Sequence, residues 1–197
     1  MSKIMQYKFC IFILLSTVII ISGCRERSVP KPRGYFRIDL PVKEYRKYDT
    51  ICPFTFEYPV YSYVSYEVGK NTEPCWFNLV YPKFRAVIHF SYKPVKKNLG
   101  ILLKESNDYA YSHSIKAEAI DEQLWSNREN KVYGILYDIK GNTASSIQFF
   151  LTDSTRNFIR GALYFSAEPN ADSLEPVIKF FREDINHLVE TFKWKNN

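Results

Sequence analysis

The sequence predicts an α+β domain, in which a mainly antiparallel sheet of about seven strands carries two packed helices. Three observations support this fold class. Several stretches alternate apolar and polar residues with a period of two, which is typical of strands. Two stretches repeat their apolar residues at steps of three and four, which is typical of helices that bury one face. Aromatic residues make up 17% of the 197-residue chain, and this composition favours sheet over disorder.

Three strands are expected before the first helix. Residues 54–68 alternate, but Pro59 interrupts the pattern and indicates an edge or bent strand. Residues 75–81 and 85–92 follow as a hairpin-like pair. Residues 33–41 are expected to enter the fold as an irregular or edge segment, and a polar stretch follows them as far as Asp49.

A helix is expected from Asn98, its N-cap, to about Ser114. Four alternating runs follow it, and turn residues between them predict an antiparallel meander. These runs are residues 117–125, 132–139, 144–151 and 158–165.

The closing segment predicts the clearest helix. Asp172 or Ser173 is the expected cap, and Pro176 is tolerated in a first turn. Its apolar residues form one stripe, which indicates that the helix packs on a sheet. The stripe contains Leu174, Ile178, Phe181, Ile185, Leu188 and Phe192.

Residues 1–23 have the features of a lipoprotein signal peptide. Lys3 and Lys8 lie near the start of the chain, and an uncharged apolar run follows them. Ser22 and Gly23 stand directly before Cys24. The run is shorter than the roughly 20 residues that a membrane-spanning helix needs. A simple secretory peptide favours an A-x-A-like end instead. We therefore expect acyl chains, palmitate among them, on Cys24, and through them a membrane anchor.

Residues 24–37 are expected to form a lipidated flexible tether, and residues 38–197 a single α+β domain. Prolines and a glycine stand among charged residues in the tether. Its cations indicate a solvated linker or, alternatively, contact with anionic lipids. No acidic run follows Cys24, so we expect the domain to face the periplasm from the outer or the inner membrane.

Cys52 and Cys75 are the two cysteines of the expected domain. In an oxidising compartment two such thiols usually pair, and closing the loop would stabilise the fold by roughly 3 kcal/mol. The alternatives are two buried thiols in neighbouring strands, or a zinc site that lacks a nearby histidine.

No catalytic motif is evident in the sequence. His89, His113 and His187 lack the spacing of metal ligands, and no G-x-S-x-G elbow, P-loop or G-x-G-x-x-G is present. Basic residues beyond the tether are dispersed among acids, which does not favour a nucleic-acid interface. We expect no enzymatic activity, no metal, no cofactor besides the covalent lipid, and neither nucleic acid nor a small molecule as a ligand.

Two groups of residues are candidates for a partner-binding surface. Tyrosines are dense between residues 58 and 92, and their rings suit protein interfaces or glycan stacking. Asp153 and Ser154, with Arg160 near the start of the next strand, form a second polar group at one sheet end. A turn capped by its own short polar side chains is the favoured interpretation of this group, and a polar cluster is the alternative. The candidates are Tyr61, Tyr63, Tyr81, Asn142, Asp153, Ser154 and Arg160.

Six parts of the sequence together resemble the gliding motility lipoprotein GldD family. The resemblance implies an envelope lipoprotein that is needed for surface gliding and is associated with the type IX secretion machinery. It brings no enzymatic activity, cofactor or catalytic residue. Relatives also occur in non-gliding bacteria, so an envelope or secretion role is implied more firmly than motility. The parts are residues 32–38, 52–54, 81–93, 114–117, 141–149 with 151–154, and 160–165.

The order of elements also resembles the α+β sandwich of PsbP and Mog1-like domains, which act as adaptors. The sequence-based hypothesis is therefore a non-enzymatic lipoprotein that binds or stabilises components of a membrane-associated complex. The alternatives are a glycan- or peptidoglycan-binding module and a hydrolase with a concealed site.

Overall fold

The computed structural model describes residues 38–66, 69, 72–112, 115–166 and 171–195, together with Lys8. The elements from residue 38 onward lie within one compact unit, Phe36–Asn197. The remainder of the expected signal peptide, Cys24 and the expected tether lie outside the described residues.

Ten strands, two α-helices and a 3-10 turn at Pro82–Phe84 make up the described unit. The strands that precede the first helix are β1 (Tyr45–Asp49), β2 (Phe54–Pro59), β3 (Tyr63–Ser65), β4 (Phe77–Tyr81) and β5 (Ala86–Pro94). The following elements are α1 (Leu99–Tyr111), β6 (Ala117–Asn127), β7 (Val132–Gly141), β8 (Ser145–Thr152), β9 (Asn157–Phe165), α2 (Ala171–Thr191) and β10 (Lys193–Trp194).

The strands form two antiparallel sheets. The larger has seven strands in the order β3-β4-β5-β9-β8-β7-β6, and the smaller has three in the order β1-β2-β10. The predicted α+β class with a seven-stranded antiparallel sheet is confirmed, and so is the meander of β6 to β9. The smaller sheet was not predicted.

The main core lies between the two sheets and α2. Odd-numbered residues of β4 and β8 face it, and the rings of Phe77 and Phe90 stack there at 4.5 Å between centroids. Phe56 of β2 and Phe181 of α2 are almost fully buried in the same core. At roughly 25 cal/mol for each Å² of apolar surface removed from water, burial of these rings dominates the free energy of folding.

The opposite face of the large sheet, here called the outer face, is partly covered by α1. Leu102 and Ala110 of α1 pack there against Tyr137, Phe150 and Phe158 of β7, β8 and β9. This helix is 13 residues long, so it cannot cover seven strands. A space therefore remains beside α1 above β4 and β5.

Residues 54–68 do not form the one bent strand that was predicted. The chain turns after Pro59, where the backbone N–H of Ser62 donates to the Pro59 carbonyl, and β2 and β3 lie in different sheets. Period-two patterning continues across the turn, which is why the sequence reads as one strand. The polar residues before position 50 form β1, which pairs with β2 throughout its length.

Both helices are confirmed. Asn98 occupies the N-cap position of α1, as predicted, whereas the predicted cap of α2 is wrong. The Asn98 side chain makes no capping bond and instead accepts a 2.7 Å hydrogen bond from the Lys96 backbone N–H. Helix α2 already begins at Ala171, so Asp172 and Ser173 lie inside its first turn. Pro176 lies one turn deeper than expected.

Candidate functional site

The structure pairs Cys52 with Cys75 in a disulfide, as the sequence predicts. Their Cα atoms are 5.7 Å apart and they are separated by 23 positions in the chain. Cys52 follows β1 and Cys75 precedes β4, so the bond joins segments that continue into different sheets. The disulfide thus holds the two layers of the main core together.

The tyrosines proposed as a surface have three different environments. Tyr81 is only 1% exposed, so its place on a partner surface was a wrong prediction: its ring packs edge-on against Phe181 in the core. Tyr61 is half-buried, and its hydroxyl is bonded to Asp184. Tyr63 is 49% exposed on the edge strand β3 and can still contact a partner.

Asp153 organises the turn between β8 and β9. One of its carboxylate oxygens accepts hydrogen bonds of 2.7 to 2.9 Å from the backbone N–H groups of Thr155, Arg156 and Asn157. Burial alone would raise the pKa of Asp153, but these N–H donors outweigh it and lower the pKa. Asp153 therefore acts as a turn cap, which is the interpretation that the sequence favours. Ser154 is exposed in this turn.

Arg160 does not contact that turn. Its guanidinium donates to the side-chain oxygen of Gln148 and lies over the ring of Tyr109, 4.8 Å from the centroid. Asn142 is exposed in the separate turn after β7. The alternative arrangement, a polar cluster of Asp153, Ser154 and Arg160 at one sheet end, is therefore not formed.

A buried carboxylate, Asp184 of α2, has three side-chain donors that sequence reasoning missed. Lys43 and Tyr45 bond Oδ1 at 2.7 and 3.0 Å, and Tyr61 bonds Oδ2 at 2.6 Å. Asp184 is 1% exposed. Because both oxygens are satisfied, the charge is tolerated in the interior. Its position among apolar residues of a helix is the only sequence signal that could have indicated it.

The space beside α1 is a cleft of about 280 Å³, here called the outer cleft. Strands β4, β5 and β9 form its floor and α1 its wall. The floor includes Trp76, Lys93 and Arg160, and the wall includes Glu105 and Tyr109. The indole N–H of Trp76, just before β4, donates to the Tyr92 carbonyl at 2.9 Å, which fixes the ring at the cleft.

Arg160 is the polar centre of the outer cleft. Burial lowers the pKa of its guanidinium. Within the described part of the chain no carboxylate forms an ion pair with it, and its side-chain contacts are Gln148, Tyr109 and Tyr164. Arg160 is thus a half-buried cation whose direct side-chain contacts are all neutral.

Strand β6 forms a long edge of the large sheet. It has 11 residues, and among the strands that the structure describes it pairs with β7 alone. Leu124 lies opposite Ile135 of β7 on the outer face and is 79% exposed. Glu122 accepts a 2.8 Å hydrogen bond from the Tyr111 hydroxyl, so α1 supports this edge.

No three of the histidine, cysteine, aspartate and glutamate side chains in the described ranges are grouped so as to hold a metal ion. The helices described here include none that has both the length and the apolar character to cross a membrane.

The family model described as gliding motility lipoprotein GldD matches residues 25–194. The solution structure of cyanobacterial PsbP (CyanoP) from Synechocystis sp. PCC 6803 is similar to this chain, with a TM-score of 0.49 and 11% sequence identity. That similarity covers 81% of this chain and 97% of the cyanobacterial one. No curated protein matches the chain.

Proposed function

The chain belongs to the gliding motility lipoprotein GldD family, and from that premise we propose that its domain is a partner-binding subunit of a gliding and secretion complex. Membership implies a role in gliding motility and association with the cell envelope. We further propose that acylated Cys24 anchors the chain in a membrane. The domain then faces the periplasm and stabilises other envelope proteins without catalysing a reaction.

The observation that carries the partner-binding proposal is the free edge of β6. An edge strand presents backbone N–H and C=O groups that a further strand can bond. This edge is 11 residues long, longer than the usual strand of about five or six residues. The opposite edge, β3, has only three residues, so β6 offers far more backbone for pairing.

Leu124 adds an apolar contact to that edge. It is 79% exposed beside the half-buried Ile135, and a partner strand that pairs with β6 would cover part of this surface. Burial of a leucine side chain contributes about 1.5 to 3 kcal/mol. The acidic Glu118, Asp121 and Glu122 on the same strand keep the free edge soluble until the partner binds.

The test is mild crosslinking of intact cells, followed by purification of the full-length protein and identification of the captured envelope proteins. Leu124→Lys places a charge at the proposed contact, whereas Ile51→Lys places the same charge on a fully exposed isoleucine outside β6. We expect Leu124→Lys to lose a discrete set of captured proteins and to impair gliding. Ile51→Lys should retain both. Unchanged capture and gliding in Leu124→Lys would reject β6 as the contact.

A further inference from the structure

We propose that the outer cleft binds an acidic saccharide, whose carboxylate is held by Arg160 and Lys93. This site is separate from the β6 edge, and no sequence motif indicated a small-molecule ligand. The cleft has more positive than negative side chains, and the rest of its lining is aromatic and polar.

Arg160 lies half-buried in the lining of the outer cleft. A half-buried cation without a counter-charge is unfavourable, and a carboxylate placed on its free N–H groups would relieve the imbalance. The guanidinium is hydrogen-bonded to the side chains of Gln148 and Tyr164, both of which are neutral. An arginine has five N–H donors in a planar fork that matches a carboxylate.

Lys93 supplies a second cation on the same face. Ser91 of β5 lies directly opposite Arg160 of β9, and Lys93 is two residues further along β5. Diagonal neighbours of this kind have Cα atoms roughly 7 to 8 Å apart, which long side chains can span. No ion pair of Lys93 is found among the described residues. Both cations can therefore reach one bound anion.

The remaining lining suits a sugar. Trp76 and Tyr109 both line the cleft, and apolar faces of pyranose rings pack on aromatic rings of this kind. Ser91 and Ser106 also line the cleft and can bond sugar hydroxyls. At about 280 Å³ the cleft is near the lower end of small-molecule sites, roughly 300 Å³, which fits one or two sugar units.

Glu105 distinguishes an acidic sugar from a phosphate. It lies on α1 at the exposed side of the same cleft. A carboxylate there repels a doubly charged phosphate, but it can accept hydrogen bonds from sugar hydroxyls. The charges of the cleft therefore favour a ligand with one anionic end and one hydroxyl-bearing end.

The experiment measures binding of glucuronate, glucose and inorganic phosphate to the full-length lipidated protein in a detergent without a sugar headgroup. Titration calorimetry reports binding, and so does the change in tryptophan fluorescence, to which Trp76 at the cleft contributes. We expect glucuronate to bind about tenfold or more tightly than glucose, because a hydrogen bond to a charged group increases affinity by about that factor. Arg160→Gln should weaken glucuronate binding by about the same factor. Lys93→Gln should weaken glucuronate binding by about two- to fivefold.

Lys104→Gln is the matched control, since Lys104 lies on α1 but pairs with Asp108 outside the cleft. It should leave glucuronate binding unchanged. Thermal unfolding checks that Arg160→Gln is folded, and Lys93→Gln tests the site if it is not. Equal binding of glucuronate and glucose, absence of glucuronate binding, or equally strong competition by inorganic phosphate would overturn the proposal. None of these results affects crosslinking through β6, so the two proposals fail separately.

Discussion

The Tyr61 hydroxyl donates a 2.6 Å hydrogen bond to Oδ2 of Asp184, although 123 positions separate the two residues. Tyr61 lies in the turn where the chain passes from the small sheet to the large one, and Asp184 lies on the helix packed between them. Burial, and then the hydrogen bond to Asp184, raise the pKa of the Tyr61 hydroxyl. The hydroxyl therefore remains a donor throughout the physiological range.

Replacing Asp184 by alanine should destabilise the domain by about 3 kcal/mol, because Lys43 and two tyrosine hydroxyls lose their shared acceptor. Asp108→Ala is the control, since that carboxylate is exposed and pairs with Lys104 one helical turn away. Its loss should cost no more than about 0.5 kcal/mol. Urea unfolding monitored by circular dichroism measures both values. Equal losses in the two variants would show that the Asp184 network is not a structural anchor.

Loss of the Cys52–Cys75 disulfide should lower the free energy of unfolding by about 3 kcal/mol, on the chain-entropy estimate for a loop of 23 positions. The double variant Cys52→Ser/Cys75→Ser should show this loss in urea unfolding. A reducing agent should lower the stability of the natural protein by a similar amount and leave the double variant unaffected. If the natural protein is insensitive to reduction, the bond does not contribute in solution.

The parts of the fold predicted from sequence are those that local patterns specify. The strands β6 to β9 are runs of strand-forming residues separated by turn residues, and α2 carries a regular apolar stripe. The small sheet depends instead on distant pairing. Strand β1 has the polar sequence YRKYD, and β10 has two residues that pair with β2. Neither strand has a local signal strong enough to predict it.

The outer cleft could not be predicted for the same reason. Trp76, Lys93, Tyr109 and Arg160 come from four different parts of the chain, and only the strand order and the position of α1 bring them together. Arg160 was chosen from the sequence, but with the wrong neighbours. The turn at Asp153 is close to it in sequence, whereas Tyr109 is close to it in space.

A methyl group at position 134 should destabilise the fold by about 2 kcal/mol or more, because overpacking displaces neighbouring atoms. The Cβ of Gly134→Ala would lie 2.0 Å from the backbone oxygen of Phe150, which cannot move without disturbing β8. Gly100→Ala in α1 is the matched change, since its Cβ would meet nothing within 4 Å. It should stabilise the protein by about 0.5 to 1 kcal/mol. Thermal unfolding of both variants should give shifts of opposite sign, and two shifts of the same sign would contradict this account of β7 packing.

The turn at Asp153 should make stability depend on pH. Since its pKa is lower in the folded protein, its contribution is complete above the unfolded value of about 3.9 and is lost as the pH falls through the folded value. Asp153→Ala should cost about 1 to 2 kcal/mol at pH 6, as loss of a capping side chain does. The difference from the natural protein should shrink as the pH is lowered below the unfolded value. Urea unfolding at several pH values tests this, and a pH-independent difference would refute the role of the carboxylate charge.

The central claim is that Cys24 carries the lipid that fixes this domain in the envelope. Mass spectrometry of the amino-terminal peptide, taken from protein purified out of the membrane fraction, tests it most directly. The account predicts a peptide that begins at Cys24 and carries fatty acyl chains, and it predicts release of a Cys24→Ser variant from the membrane. An unmodified amino terminus, or a Cys24→Ser variant that stays membrane-bound in normally gliding cells, would contradict the account.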